Sequence, residues 1–103
     1  MSRKVDFGGL PWESSVLGAR SKSVIAGAKR ARIVEFTSDF VEAEWCETGH
    51  VGLVLKGQLE IDFHGHVVLY AEGEGILIPP GVANAHKARA VTPTVQLFLV
   101  EDA

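Results

Sequence analysis

The sequence predicts an all-β domain, and three observations carry that prediction. From residue 22 onward it divides into short runs in which apolar and polar residues alternate, the period of a strand with one buried face. Glycine and proline punctuate those runs at close, regular spacing. No apolar stripe at helical spacing is sustained for the roughly ten residues that a packed helix needs.

Residues 1–20 have no clear period. Gly8-Gly9 and Leu10-Pro11-Trp12 predict an extended arm within the same domain, with Trp12 packed on an apolar surface. Residues 21–103 are then a single domain. Lys29-Arg30-x-Arg32 reads as a solvated strand edge that runs into Arg32–Phe36 and ends at the polar turn Thr37-Ser38-Asp39. Next, Val41, Ala43 and Trp45 alternate with Glu42, Glu44 and Cys46, which predicts a strand. Val51–Leu55 is apolar on both faces, as expected between two layers. Gly57-Gln58 turns the chain into Leu59–Phe63, and His64-Gly65-His66 makes an exposed turn before Val67–Tyr70. Gly75–Ile78 leads to Pro79-Pro80-Gly81, and Thr94–Val100 is a last strand. So many short strands predict a sandwich or closed barrel, because closure removes exposed edges.

Composition narrows the function classes. The chain has 103 residues, 47% hydrophobic and 22% charged, enough for one folded domain and too few for two. Its net charge of −3 offers no electrostatic reason for binding nucleic acid or an anionic membrane. The single cysteine, Cys46, rules out an intramolecular disulfide and suits a reducing compartment. Met1-Ser2-Arg3-Lys4 carries the charge of a signal-peptide start, but no apolar stretch follows it. The expectation is a cytoplasmic protein, and a short barrel with an apolar arm is expected to pair as a homodimer.

Two glycine–proline frames are more specific. Gly73 to Gly81 reads G-x5-P-x-G, a glycine turn, a buried strand and a Pro-x-Gly turn, and resembles the second cupin motif. Gly57, followed by Gln58-Leu59-Glu60-Ile61, resembles the glycine that closes the first cupin motif, H-x-H-x3-E-x6-G. The resemblance to small single-domain cupins of the RmlC-like jelly-roll superfamily covers about residues 24–100. It implies a double-stranded β-helix around one interior pocket. Physical reasons for the frame are plain: Pro79 cannot donate a ladder bond and ends its strand, and Gly57 and Gly81 permit backbone that a Cβ penalises.

The resemblance also implies where metal ligands would stand, and here the sequence departs from the family. Counted back from Gly57, the family's glutamate position holds His50, and its two histidine positions hold Glu44 and Cys46. Counted from Gly81, the last histidine position holds Asn84, with His86 two residues on and so on the same side of a strand. Glu44, Cys46, His50 and His86 are therefore the candidate ligands for a divalent transition metal. Zinc, iron, nickel and copper all suit nitrogen, oxygen and sulfur donors. Three functions follow: a metal-dependent enzyme on a small metabolite, a non-catalytic ligand-binding or sensing module, or a metal-free structural dimer whose polar residues bond one another. Cys46-x3-His50 also has the spacing of a thiol and its base, with no third orienting group in view.

Overall fold

Backbone pairing in an alternating sequence is settled by which runs lie against each other. The computed structural model describes residues 3–103 and arranges them as nine antiparallel strands with two short 3-10 turns, Phe7–Gly9 and Val82–Asn84. The strands are β1 (Glu13–Val16), β2 (Ala19–Ala26), β3 (Lys29–Thr37), β4 (His50–Lys56), β5 (Gln58–Phe63), β6 (His66–Ala71), β7 (Gly75–Ile78), β8 (Lys87–Ala90) and β9 (Thr94–Asp102). A six-stranded sheet runs β1-β2-β3-β9-β4-β7, and a three-stranded sheet runs β6-β5-β8. This is the jelly-roll arrangement that the strand pattern and the two glycine–proline frames predict.

Alternation places one face of each sheet inside. On β9, Val95, Leu97, Leu99 and Glu101 are buried, while the residues between them are not. Val34, Val54, Leu59, Ile61, Ile76 and Ile78 join them from β3, β4, β5 and β7 to form the core. The frame residues behave as their chemistry requires. Gly57 has φ +77°, and a Cβ there would collide with the carbonyl oxygen of Thr94. Strand β7 stops at Ile78, directly before Pro79, and Gly81 follows with φ +114°.

Four segments differ from the sequence-based expectations. The arm is not simply extended: Glu13–Val16 pairs with β2 as an edge strand. Trp12 lies under cations rather than on an apolar surface, with Arg20 at 4.1 Å and Lys22 at 4.7 Å from its ring. Lys29–Arg32 is not a sheet edge, because β3 is paired on both sides, by β2 and β9. Its charges are met by cross-strand acids, Asp102 for Lys29 and Glu101 for Arg32. Residues 41–46 do not form a strand but a loop across one end of the barrel, touching the ladder only at a Cys46–His86 bridge. Val51–Leu55 is buried on one face only, since Val51, Leu53 and Leu55 point to solvent. Among the described residues no helix is long and apolar enough to cross a membrane.

Candidate metal centre

The site lies where the inner faces of the two sheets meet the loop over residues 41–49. His50 is the first residue of β4, opposite Ile78 on β7, so its ring enters the barrel at the strand's start. His86 directly precedes β8 and is 3% exposed. The two rings face each other with centroids 5.1 Å apart and planes at 73°. Cys46 is held beside them by two backbone hydrogen bonds, Cys46 N–H to the His86 carbonyl at 2.8 Å and the reverse at 3.0 Å. Its Sγ is 3.9 Å from Nε2 of His50. One donor atom from each of Cys46, His50 and His86 lies within 4.8 Å of the others.

The loop that carries Cys46 has few ladder bonds, so side chains pin it. Trp45 stacks on His64 at the β5–β6 turn, with centroids 3.8 Å apart and planes at 16°, and Lys87 Nζ lies 4.8 Å from the Trp45 ring. Gly81 N–H donates to the Glu47 carbonyl at 2.9 Å, which draws the Pro-Pro-Gly turn against the same loop. His64 and His66 sit in and beside an exposed turn, as expected, and His64 supports the site from outside it.

Both rings are oriented by their far nitrogens. Nδ1 of His50 is 2.8 Å from Oε2 of Glu101, a buried residue on β9. A carboxylate only accepts, so Nδ1 carries the hydrogen and Nε2 is the nitrogen left for a ligand. Nδ1 of His86 is 3.0 Å from the Asn84 carbonyl, which in the same way leaves its Nε2 free. Asn84, which the count from Gly81 reaches, contributes only its backbone carbonyl, which accepts from the histidine two residues later.

Electrostatics separate the acids. Burial raises the Glu101 carboxyl, but the hydrogen bond from His50 and the charge of Arg32 outweigh it and hold it below its ordinary value. Arg32 Nε is 2.8 Å from Oε1 of Glu101, an ion-pair distance, although the N–H direction misses hydrogen-bond geometry. Glu42 moves the other way: desolvation raises it, against a backbone hydrogen bond at Ala88 and the nearby cations. His86 is lowered, mainly by desolvation and further by the charge of His50.

Of the four candidate ligands, the structure brings Cys46, His50 and His86 together and leaves Glu44 exposed in the loop. Glu44 is no part of the group because the loop lacks a strand's two-residue repeat, so sharing parity with Cys46 does not place it on the same side. Glu42 is the loop acid that lines the interior cavity of about 240 Å³, along with Cys46, His50, His86 and Arg32. Sequence reasoning missed Glu42, Glu101 and Arg32. Glu101 had one available signal, since it continues the inward alternation of Val95, Leu97 and Leu99.

The donor set fits a transition ion. Two imidazole nitrogens and a thiol sulfur are borderline-to-soft ligands, and their donor atoms lie within 4.8 Å of one another. A carboxylate behind a ligating histidine is the usual outer partner of such a ligand.

No protein-family model matches the sequence, and comparison with curated proteins finds no match. Solved structures match throughout the chain. KdgF from Halomonas sp. is 20% identical with a TM-score of 0.80, over 100% of this chain and 96% of that one. An RmlC-like cupin from Shewanella frigidimarina is 12% identical with a TM-score of 0.77, over 99% and 91%. The polyketide cyclase RemF from Streptomyces resistomycificus is 18% identical with a TM-score of 0.80, over 99% and 80%. The chain is a small domain with the cupin fold. Likeness at these identities speaks for the fold alone.

Proposed function

We propose that this cupin-fold chain holds a divalent transition metal on Cys46, His50 and His86 and uses it to engage a small metabolite inside the barrel. The observation that carries the reading is the convergence of three donor atoms within 4.8 Å on the wall of a 240 Å³ cavity. Both histidines already present their ligand nitrogens, through Glu101 and Asn84. When bound, such an ion polarises a substrate oxygen as a Lewis acid. Glu101 holds the His50 ring and its tautomer. Glu42, half-buried and pushed toward its neutral form, stands at the cavity as a group able to give or take a proton. A thiol ligand suits the reducing conditions of the cytoplasm, where we place the protein.

The test is metal uptake. Metal-free protein titrated with Co²⁺ should take up one ion per chain and develop the visible and near-ultraviolet absorption of a thiolate-ligated centre. Binding no tighter than that of the His50→Ala, His86→Ala double variant would overturn the reading.

We also propose that a second copy covers the outer face of β4 and β7. Val51 and Leu77 are register partners there, and Leu77 is 79% exposed. On the adjacent β9 the same face is covered by the chain's own arm, with Phe7 edge-on to Phe98 at 6.2 Å. An apolar face half covered from within leaves the remainder for a symmetric partner. Light scattering should show a dimer that Leu77→Glu converts to a monomer; a wild-type monomer at micromolar concentration would end this proposal.

A further inference from the structure

Most of the cavity wall is apolar, with Val34, Phe36, Leu59, Ile61 and Ile76 among its residues. Two cations interrupt it, and only one of them has donors to spare. Arg32 is an inward residue of β3, two before the buried Val34 and paired across the ladder with the buried Leu99. Arg20 also borders the cavity, but its guanidinium is committed elsewhere, to Glu35 at 2.8 Å and to the face of Trp12.

Arg32 has more donors than its surroundings use. A guanidinium carries five N–H groups in a planar fork. Glu101 occupies the Nε side of the guanidinium: Oε1 lies 2.8 Å from the buried Nε without hydrogen-bond geometry, and Oε2 accepts from Nη2 at a long 3.4 Å. The two Nη1 donors and the second on Nη2 find no acceptor in Glu101, since its Oε1 faces Nε at 2.8 Å and its Oε2 is shared between Nη2 and His50. The apolar wall has no acceptors. Of the other acids at the cavity, Glu13 is exposed on the edge strand β1, and Glu42 is driven toward its neutral form by burial and already makes a backbone hydrogen bond at Ala88. Partly buried donors without acceptors are unfavourable, so the missing acceptor is expected from the molecule that fills the cavity.

We infer that this molecule is a small carboxylate, its two oxygens received by the fork of Arg32 while another of its atoms faces Cys46, His50 and His86. The planar carboxylate matches a planar fork, which a single neutral carbonyl does not. Charge agrees with this. Arg32 and Glu101 cancel, and a divalent ion with one thiolate remains positive, so an anion is favoured over a neutral isostere. Size agrees as well: 240 Å³ holds about eight water-sized groups at roughly 30 Å³ each, a molecule of a few carbons.

The inference rests on the metal reading for the second contact and on Arg32 alone for the first, and the experiment separates the two. Co²⁺-loaded protein is titrated calorimetrically with short mono- and dicarboxylic acids of two to six carbons and with their amides. At least one acid should bind on the order of tenfold or more tightly than its amide, as a charge-assisted bidentate contact gives. Arg32→Gln should bring acid and amide to parity while the Co²⁺ absorption stays as in the wild type. Where Arg32→Gln fails to fold, Arg32→Lys, which keeps the charge and loses the fork, should lower the acid preference several-fold. Equal binding of acid and amide, no binding by any acid, or a preference that survives the loss of the fork overturns the inference. If the wild type takes up no Co²⁺, the metal reading fails by itself. The acid preference and its dependence on Arg32 are then still required of the metal-free protein.

Discussion

The two ends of the barrel interior are built on the same strands and do different work. Strand β4 carries the buried Val54 toward one end and His50 at the other; β9 carries Val95 and Leu97, then Glu101. One end is apolar, centred on the fully buried Val54 and Val95, with Leu59 of the same core reaching the cavity wall. The other gathers two histidines, a thiol, two arginines and the acids Glu13 and Glu42 around the cavity, with Glu101 behind His50. The difference teaches that the fold is held at the apolar end, leaving the other free to carry groups that are costly to bury. Those costs are met locally by Glu101, Asn84 and the Cys46–His86 bridge.

The largest effect should come from the apolar end. Leu59 is 0% exposed, and Leu59→Ala should cost about 2–5 kcal/mol, read from denaturant unfolding. Molecules that remain folded should still take up Co²⁺ normally. A lost Co²⁺ spectrum in a folded Leu59→Ala protein would break the division between the ends.

At the polar end the order reverses. His50→Ala and His86→Ala should each remove the cobalt–thiolate spectrum while circular dichroism keeps its β signature, since neither residue belongs to the apolar core. Unfolding of both variants would show that the site is part of the scaffold. One step further out, Glu101→Gln should weaken Co²⁺ binding about 10–100-fold, the usual effect of losing an outer-shell partner. Its ring-orienting bond to His50 is the contact at stake. Unchanged affinity would remove Glu101 from the design.

The smallest effect is a pair of opposite pH slopes. The Glu101 carboxyl is held below 4.5, so its contribution to stability is present above that pH and lost as the pH falls through its lowered value. Glu42 is raised above 4.5, so its contribution is present below 4.5 and lost as the pH rises through its raised value. In melts of the metal-free protein on the two sides of pH 4.5, the advantage of wild type over Glu101→Gln should shrink on acidification. Relative to Glu42→Gln, the wild type should lose stability as the pH rises. Slopes of one sign would show that the two acids share a single environment.

Much of this was legible in the residues. Alternation along Leu59–Phe63 and Thr94–Val100 sets the period of β5 and β9, and the turns at Gly57 and at Pro79–Gly81 bound β5 and β7 where the backbone has no alternative. The resemblance to the cupin motifs places His50 at a ligand position by its count from Gly57. The count from Gly81 reaches Asn84, and His86 follows only by strand parity, which does not apply because Val82–Asn84 is a 3-10 turn. Where no such turn was near, the reading failed. Residues 41–46 alternate like a strand, yet they cross the barrel's end with no ladder partner except at Cys46, so parity along that loop decides nothing.

What the sequence by itself determined was therefore local: strand periods, turn positions, and His50 tied to Gly57 by a short count. Only the tertiary structure decided that Glu42 and not Glu44 faces the cavity, that Cys46 approaches His50, and that Arg32 and Glu101 meet across the β3–β9 ladder. The physical reason is range. A turn acts on the residues beside it, through backbone angles that only glycine or proline accepts. A contact such as Arg32 with Glu101 depends on the register of two strands joined late in the chain, and register is set by the packing of the whole inner face.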